Sequence, residues 1–302
     1  MRMEPVKTRL SGPPPHFLGL TVMIVGVLLF GGCGREDGQS AGFPFSGRTI
    51  VLYIGSASQP PVESIIDQFE QATGATCIAH YGGSGAMLAQ LEVTKRGDVY
   101  FPGSSDYMAL AVEHGLVDEE TVKPVAYLVP AICVGKGNPK DIRSLADLAR
   151  EDVRVGLARP DSVCVGLYAV ETLEQAGLWE AVKPQVAAYV QSCAQTAQAV
   201  SLGTVDAVVG WRVFAYWSPD TIETVALEPR QVPRLGTIPA GVTTCASDVE
   251  LAQAFLDYVS GPQGTAAFAT WHYLATETEA RQWAEADTPV GGQWALPEDW
   301  DQ

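Results

Sequence analysis

Thr76-Cys77-Ile78-Ala79-His80-Tyr81-Gly82-Gly83-Ser84-Gly85-Ala86-Met87-Leu88-Ala89-Gln90-Leu91-Glu92 changes period in its middle. The first six residues are β-prone. Two glycines and a serine follow, then apolar residues at Met87, Leu88 and Leu91 with helical spacing. The stretch reads as a strand, a tight glycine turn and a helix start, with Ser84 as candidate N-cap. Free backbone N–H groups and the positive end of a helix dipole meet at such a turn, which suits an anion. A capped helix with nothing bound has the same local sequence, so the neighbouring stretches must decide.

Upstream, Thr49-Ile50-Val51-Leu52-Tyr53-Ile54 is a short apolar run with the character of a buried strand. Gly55-Ser56-Ala57-Ser58 turns it, and Pro60-Pro61 opens a helix marked by Val62, Ile65, Ile66 and Phe69. Strand, Gly/Ser turn and helix therefore occur twice in succession, which predicts a parallel α/β sheet. In such sheets both turns lie at the carboxyl ends of the strands, where ligands bind. Downstream, Asp98 to Gly103 reads as a strand and turn, and Tyr107 to His114 as a helix. The apolar run Val125 to Val134, interrupted by Pro130, reads as a strand passing from one domain to another.

The pattern then repeats. Val153 to Leu157 is a predicted strand, Ala158 to Gly166 a loop, and Leu167 the first marker of the next helix. Val186 to Val190 is a strand turned by Gln191 to Gln195, with a helix from Thr196 to Leu202. Asp206 to Trp211 is a further strand. Gly241 to Cys245 reads as the return crossing. Glu250 to Val259 forms a helix, and the Trp- and Pro-containing tail from Trp283 to Gln302 reads as a surface wrap.

The chain has 302 residues, 47% of them hydrophobic and 18% charged, enough for substantial cores. Its net charge of -16 argues against nucleic acid or acidic lipid as partner. A small anion is still compatible, because local backbone dipoles can hold one inside an acidic protein. Arg2, Lys7 and Arg9 precede the apolar run Phe17 to Phe30, and Gly31-Gly32-Cys33 follow, which reads as a secretory signal. Leu29-Phe30-Gly31-Gly32-Cys33 resembles a bacterial lipobox, with Phe30 departing from its usual small or Leu residue. Residues 1–32 are thus expected to be a lipoprotein signal peptide, Cys33 the lipidation site, and residues 33–47 a tether. Five more cysteines remain, with no CxxC spacing; Cys77 and His80 point to opposite faces of a strand. No Gly-x-Ser-x-Gly elbow surrounds Ser84 and no carboxylate pair stands out, so an enzyme is not expected.

Tyr81-Gly82-Gly83-Ser84-Gly85, Arg96-Gly97-Asp98-Val99-Tyr100-Phe101-Pro102-Gly103, Lys136-Gly137-Asn138-Pro139 and Phe255-Leu256-Asp257-Tyr258-Val259-Ser260-Gly261-Pro262-Gln263-Gly264 together resemble the periplasmic molybdate-binding protein family. These are the solute receptors of molybdate and tungstate ABC transporters, and the resemblance covers roughly residues 48–275. It implies a two-lobed α/β periplasmic-binding-protein fold, each lobe a mostly parallel sheet flanked by helices, joined by hinge strands. Residues 48–127 plus 246–302 are expected to form lobe I, and residues 128–245 lobe II. The implied function is capture of a tetrahedral oxyanion, molybdate or tungstate, for delivery to a membrane permease. Sulfate, phosphate or a small organic anion is the alternative. No cofactor, no metal other than the oxyanion's own and no nucleic acid is expected; a lipid-anchored monomer in the periplasm or on the outer face of the cytoplasmic membrane is.

The resemblance also implies the contacts. Ser56 or Ser58 supplies a hydroxyl from the first turn and Ser84 from the second. Backbone N–H groups come from Val165 and Cys193, and the last contact falls at Trp211. The family commonly has a tyrosine hydroxyl there, whereas Trp offers one N–H donor. Cys164 and Cys193 flank the two second-lobe contacts and are expected to be able to pair, as are Cys133 and Cys245 on the proposed hinge strands.

Overall fold

The computed structural model describes residues 43–300. Its ten strands are β1 Thr49–Gly55, β2 Thr76–Gly82, β3 Val99–Phe101, β4 Lys123–Leu128, β5 Pro130–Gly135, β6 Val155–Ala158, β7 Val186–Val190, β8 Ala207–Trp211, β9 Ile222–Ala226 and β10 Gly236–Val242. The helices are α1 Gln59–Thr73, α2 Ser84–Thr94, α3 Ser105–Glu113, α4 Cys164–Gln175, α5 Trp179–Val182, α6 Cys193–Ser201, α7 Phe214–Trp217, α8 Val249–Ser260, α9 Pro262–Thr270 and α10 Glu277–Arg281.

The strands form two five-stranded sheets of matching design. The first has the order β2-β1-β3-β10-β4 and the second β7-β6-β8-β5-β9. In the first, β1 runs parallel to β2 and β3, and β10 is antiparallel to β3 and β4. In the second, β6 is parallel to β7 and β8, and β5 is antiparallel to β8 and β9. Each sheet is therefore mostly parallel, and its one reversed strand, β10 or β5, is the strand that arrives from the other lobe.

Two crossings join the lobes. The first is abrupt: Leu128 ends β4 in the first sheet and Pro130 opens β5 in the second. A proline lacks the N–H a ladder needs, so it fits at a strand's first residue. The second crossing lies between Ala226 and Gly236, because β10 belongs to the first sheet. The expected lobe II boundary at residue 245 is thus too late. The observed strand spans Gly236–Val242 and shares only Gly241 and Val242 with the expected run Gly241 to Cys245.

Two other boundaries shift. The expected tether, 33–47, is already part of the body at its end: the Phe45 N–H donates to the Thr73 carbonyl (2.9 Å), and Phe45 packs against the first-lobe core. The expected signal peptide, lipid-bearing Cys33 and tether up to residue 42 lie outside the described residues. At the other end, the tail does not belong to lobe I alone. Ala280 is buried with Val129, Ile132 and Leu227 of the second core, and Val290, Trp294 and Leu296 pack against it.

Local chemistry accounts for the element ends that place the site. Gly74 closes α1 with φ +73, a left-handed conformation that glycine adopts without a Cβ penalty. Phe69 meets Phe255 edge-on, with 5.3 Å between ring centres, and joins α1 to α8 behind the first sheet. The apolar runs Ile50-Leu52-Ile54 and Val99-Tyr100-Phe101 are fully covered, as expected for strands sandwiched between helices. Among the described residues no helix is long and apolar enough to cross a membrane.

Candidate functional site

Because β1 and β2 are parallel with Gly55 opposite Gly82, the turns after them come out side by side. The first turn is a single 3-10 turn, Ser56–Ser58, buried throughout. Its two serines separate clearly. The Ser58 hydroxyl turns back to donate to the Gly55 carbonyl (3.1 Å). The Ser56 Oγ faces the other lobe and accepts the Ala194 N–H at 3.2 Å. Of the two candidates in this turn, Ser56 reaches across the cleft and Ser58 does not.

Ser84 departs from its expected local role. Gly83 is the N-cap of α2, Ser84 is the first helical residue, and no side-chain cap bond is made. The Ser84 Oγ instead accepts the Gly103 N–H at 3.0 Å, from the turn after β3. The Tyr100 hydroxyl donates to the Ser84 carbonyl at 2.9 Å and fixes the helix start from below. Three consecutive strand-end turns of the first sheet thus converge on one spot.

The second lobe supplies two helix N-termini. Cys164 opens α4 and Val165 follows it; Cys193 opens α6. Both helices begin three residues earlier than their apolar markers indicated. The start of α6 carried a usable signal: Ser192 is its N-cap, accepting the Gln195 N–H at 3.1 Å, and Gln195 returns Oε1 to the Gln191 N–H at 2.8 Å. A Ser-x-x-Gln spelling marks such a start. Trp211 ends β8, fully buried, and its indole lies edge-on to Tyr168, 4.8 Å between centres.

The two jaws touch. The Gly85 N–H donates to the Ser162 carbonyl at 2.9 Å, and Ser56 meets Ala194. A Cβ placed on Gly103 would lie 2.6 Å from Cys164 Sγ, and one on Gly83 would lie 2.7 Å from the Gln191 carbonyl. Ser56, Ser84, Cys164, Val165, Cys193 and Trp211 are between 0 and 3% exposed. The structure therefore gathers the first-lobe serines and the second-lobe residues in one closed cleft.

Several buried polar atoms here have no partner: the Ser104 hydroxyl, the Tyr168 hydroxyl and the Trp211 indole N–H. A buried donor without an acceptor costs about 1–3 kcal/mol. The Cys164 and Cys193 sulfurs face each other at 3.5 Å as free thiols. Burial holds the Cys193 thiol well above the ordinary thiol range. The expected pairing of Cys133 with Cys245 does not occur, because the residues belong to different lobes. Cys133 Sγ lies on the Trp211 carbonyl at 3.5 Å, and Cys245 Sγ beside Thr243 Oγ1 at 3.5 Å.

One feature of the site was invisible in the sequence. Arg234, on the second crossing, sits 3.9 Å above the Tyr168 ring. Its Nε donates to Glu171 of α4 at 2.7 Å, and its guanidinium pairs with Asp106 of α3 at 2.9 Å. All three side chains are buried. Desolvation raises the Glu171 carboxyl above its usual range despite Arg234. This places a fixed cation behind Tyr168, linking helices of both lobes. No spacing connects residues 106, 171 and 234, so only the fold could reveal it.

Comparisons with known proteins agree with this geometry. The profile of the bacterial extracellular solute-binding protein family matches residues 50–274. The molybdate-binding protein ModA of Escherichia coli is 22% identical over 231 residues, covering 72% of this chain and 86% of that protein. The periplasmic molybdate-binding protein of Azotobacter vinelandii has a similar fold (TM-score 0.68, 16% identity, covering 76% of this chain and all of that one). So does the sulfate-binding protein SubI of Mycobacterium tuberculosis (TM-score 0.69, 17% identity, 78% and 89% covered). With two sheets, two crossings and a closed cleft between them, and with a family profile matched over residues 50–274, the chain belongs to the bacterial extracellular solute-binding proteins.

Proposed function

We propose that the cleft captures a tetrahedral oxyanion, molybdate or tungstate, and that the protein delivers it to the permease of an ABC transporter. The observation that carries this reading is the convergence of Ser56 and Ser84 with the N-termini of α4 and α6 in one closed cleft. An oxyanion stripped of water is costly to bury unless each oxygen receives donors. Hydroxyls, backbone N–H groups at helix N-termini and the Trp211 indole are such donors, and charge-assisted hydrogen bonds are the stronger kind. None of Ser56, Ser84, Val165, Cys193 and Trp211 carries a fixed charge, which leaves the anion releasable. The Escherichia coli relative, a molybdate-binding protein, points the same way.

Sulfate is the second reading, favoured by a fold match to a sulfate-binding protein as good as that to a molybdate-binding one. Export, cleavage before Cys33 and lipid attachment of a monomer to the outer face of the cytoplasmic membrane complete the proposal. Titration calorimetry of the purified protein with molybdate, tungstate, sulfate and phosphate tests it. Molybdate and tungstate should bind with the highest affinity; no heat with any of the four removes the reading.

A further inference from the structure

We propose that Cys164 and Cys193 are a redox-active dithiol, shielded when the cleft closes, whose oxidation to a disulfide weakens anion capture. The proposal rests on the anion reading of the cleft. The two thiols sit 29 positions apart in sequence, at the first residue of two different helices, and are brought to 3.5 Å. A disulfide needs about 2.05 Å between sulfurs, so each must move by roughly 0.7 Å, within the reach of a side-chain rotation. The other described cysteines are placed elsewhere: Cys133 on β5, Cys245 beyond β10 and Cys77 on β2.

What covers the pair is the opposite lobe. Gly103, in the turn after β3, approaches Cys164 so closely that a Cβ there would lie 2.6 Å from its sulfur. Both thiols are 1–2% exposed in the closed form. Opening the lobes lifts the Gly103 turn away, and a bound anion, by holding the lobes together, keeps it in place. Closure also buries Cys193 away from solvent, which disfavours the thiolate that must attack.

The chemistry needs a disulfide as oxidant, protein-borne or of low molecular weight, which an exported protein meets. One cysteine thiolate attacks a sulfur of the oxidant; its S–S bond breaks and one half leaves as a thiol after taking a proton. The second cysteine, deprotonated, then attacks the mixed disulfide and expels the other half, also as a thiol. Two cysteine thiols are oxidised and one external disulfide is reduced. The new bond draws the starts of α4 and α6 together. Those starts carry the Val165 and Cys193 N–H groups, so the second-lobe donors shift relative to Ser56 and Ser84.

The test uses the reduced protein, treated with oxidised glutathione with and without saturating molybdate, then denatured, alkylated and mapped by peptide mass. Without molybdate, Cys164 and Cys193 should become linked; with it, the linkage should form at least tenfold more slowly. Calorimetry should show at least tenfold weaker molybdate binding by the oxidised protein, reversed on reduction. Cys164→Ala should abolish the internal linkage, and any glutathione then found on Cys193 appears as a mixed disulfide of distinct mass. Thiols that stay alkylatable without molybdate, or equal affinity of oxidised and reduced protein, overturn the proposal while leaving the anion reading intact. Absence of binding by the reduced protein to all four anions overturns the anion reading, and this proposal with it.

Discussion

Gly83 has backbone angles that any residue can adopt, φ −64° and ψ 144°. What glycine supplies there is room, because a Cβ would meet the Gln191 and Ser162 carbonyls of the other lobe at 2.7 and 2.9 Å. The obstruction exists only when the lobes meet. Gly83→Ala should therefore leave the melting temperature of the anion-free protein unchanged and weaken anion binding by about 1–3 kcal/mol, the usual cost of overpacking. Calorimetry and a thermal melt of the same sample check both halves. Ser84 acts at the same turn through its hydroxyl. Ser84→Ala should weaken binding by about 1.5–3 kcal/mol, the scale of a hydrogen bond to a charged group. Unchanged affinity on titration would remove Ser84 from the donor set. Arg234 is a structural counterpart. Arg234→Ala leaves Asp106 and Glu171 buried without their cation, and urea unfolding should show a loss of about 3–5 kcal/mol.

At the scale of elements, the short loop before β3 does more than turn the chain. The Asp98 carboxylate accepts the Val51 N–H of β1 at 2.7 Å, the Ser247 N–H at 2.6 Å, and the Ser247 hydroxyl at 2.9 Å. It thereby ties β1 to the segment that leads into α8. Asp98→Ala removes a buried carboxylate acceptor from the part-buried Val51 and Ser247 N–H groups and should cost about 1.5–3 kcal/mol, the scale of a hydrogen bond to a charged group, read from the midpoint of urea unfolding. Such elements were legible in sequence to different degrees. The units β1-α1 and β2-α2 were plain, because buried parallel strands are continuous apolar runs and their turns need glycine and serine. The strand β9 was missed: Ile222-Glu223-Thr224-Val225-Ala226 is an edge strand with one buried residue, so its composition lacks that signature. The starts of α4 and α6 were missed for another reason. Cysteine and glycine are weak helix formers, and periodicity begins only once a helix has an apolar face to bury. The serine site itself was legible through its turns, but which serine faces the cleft depends on hydroxyl direction, which no spacing encodes.

At the scale of the whole molecule, the tail lies beyond the region that the family profile matches, which ends at residue 274. The tail touches both lobes. Ser105 donates its hydroxyl to the Gly292 carbonyl at 2.7 Å, and the Trp294 N–H donates to Asp106 at 3.0 Å, both partners lying on α3 of the first lobe. Further along, the Trp300 ring lies 5.3 Å from the Arg159 guanidinium and 5.8 Å from the Tyr189 ring, both on the second lobe. A segment fastened on both sides favours the arrangement in which the sides are close, much as a ligand does. Trp300→Ala removes a cation–π and an aromatic contact, together worth about 1–2 kcal/mol. In a body of this size that should lower the melting temperature by roughly 2–8 °C. A chain ending at Pro289 should keep both sheets and both serine turns, since none of their residues lies beyond that point. It should release bound anion faster than the full chain in stopped-flow dissociation, with little change in the rate of capture, since affinity differences between related complexes lie mostly in dissociation. Equal dissociation rates would reduce the tail to a covering of the second-lobe core.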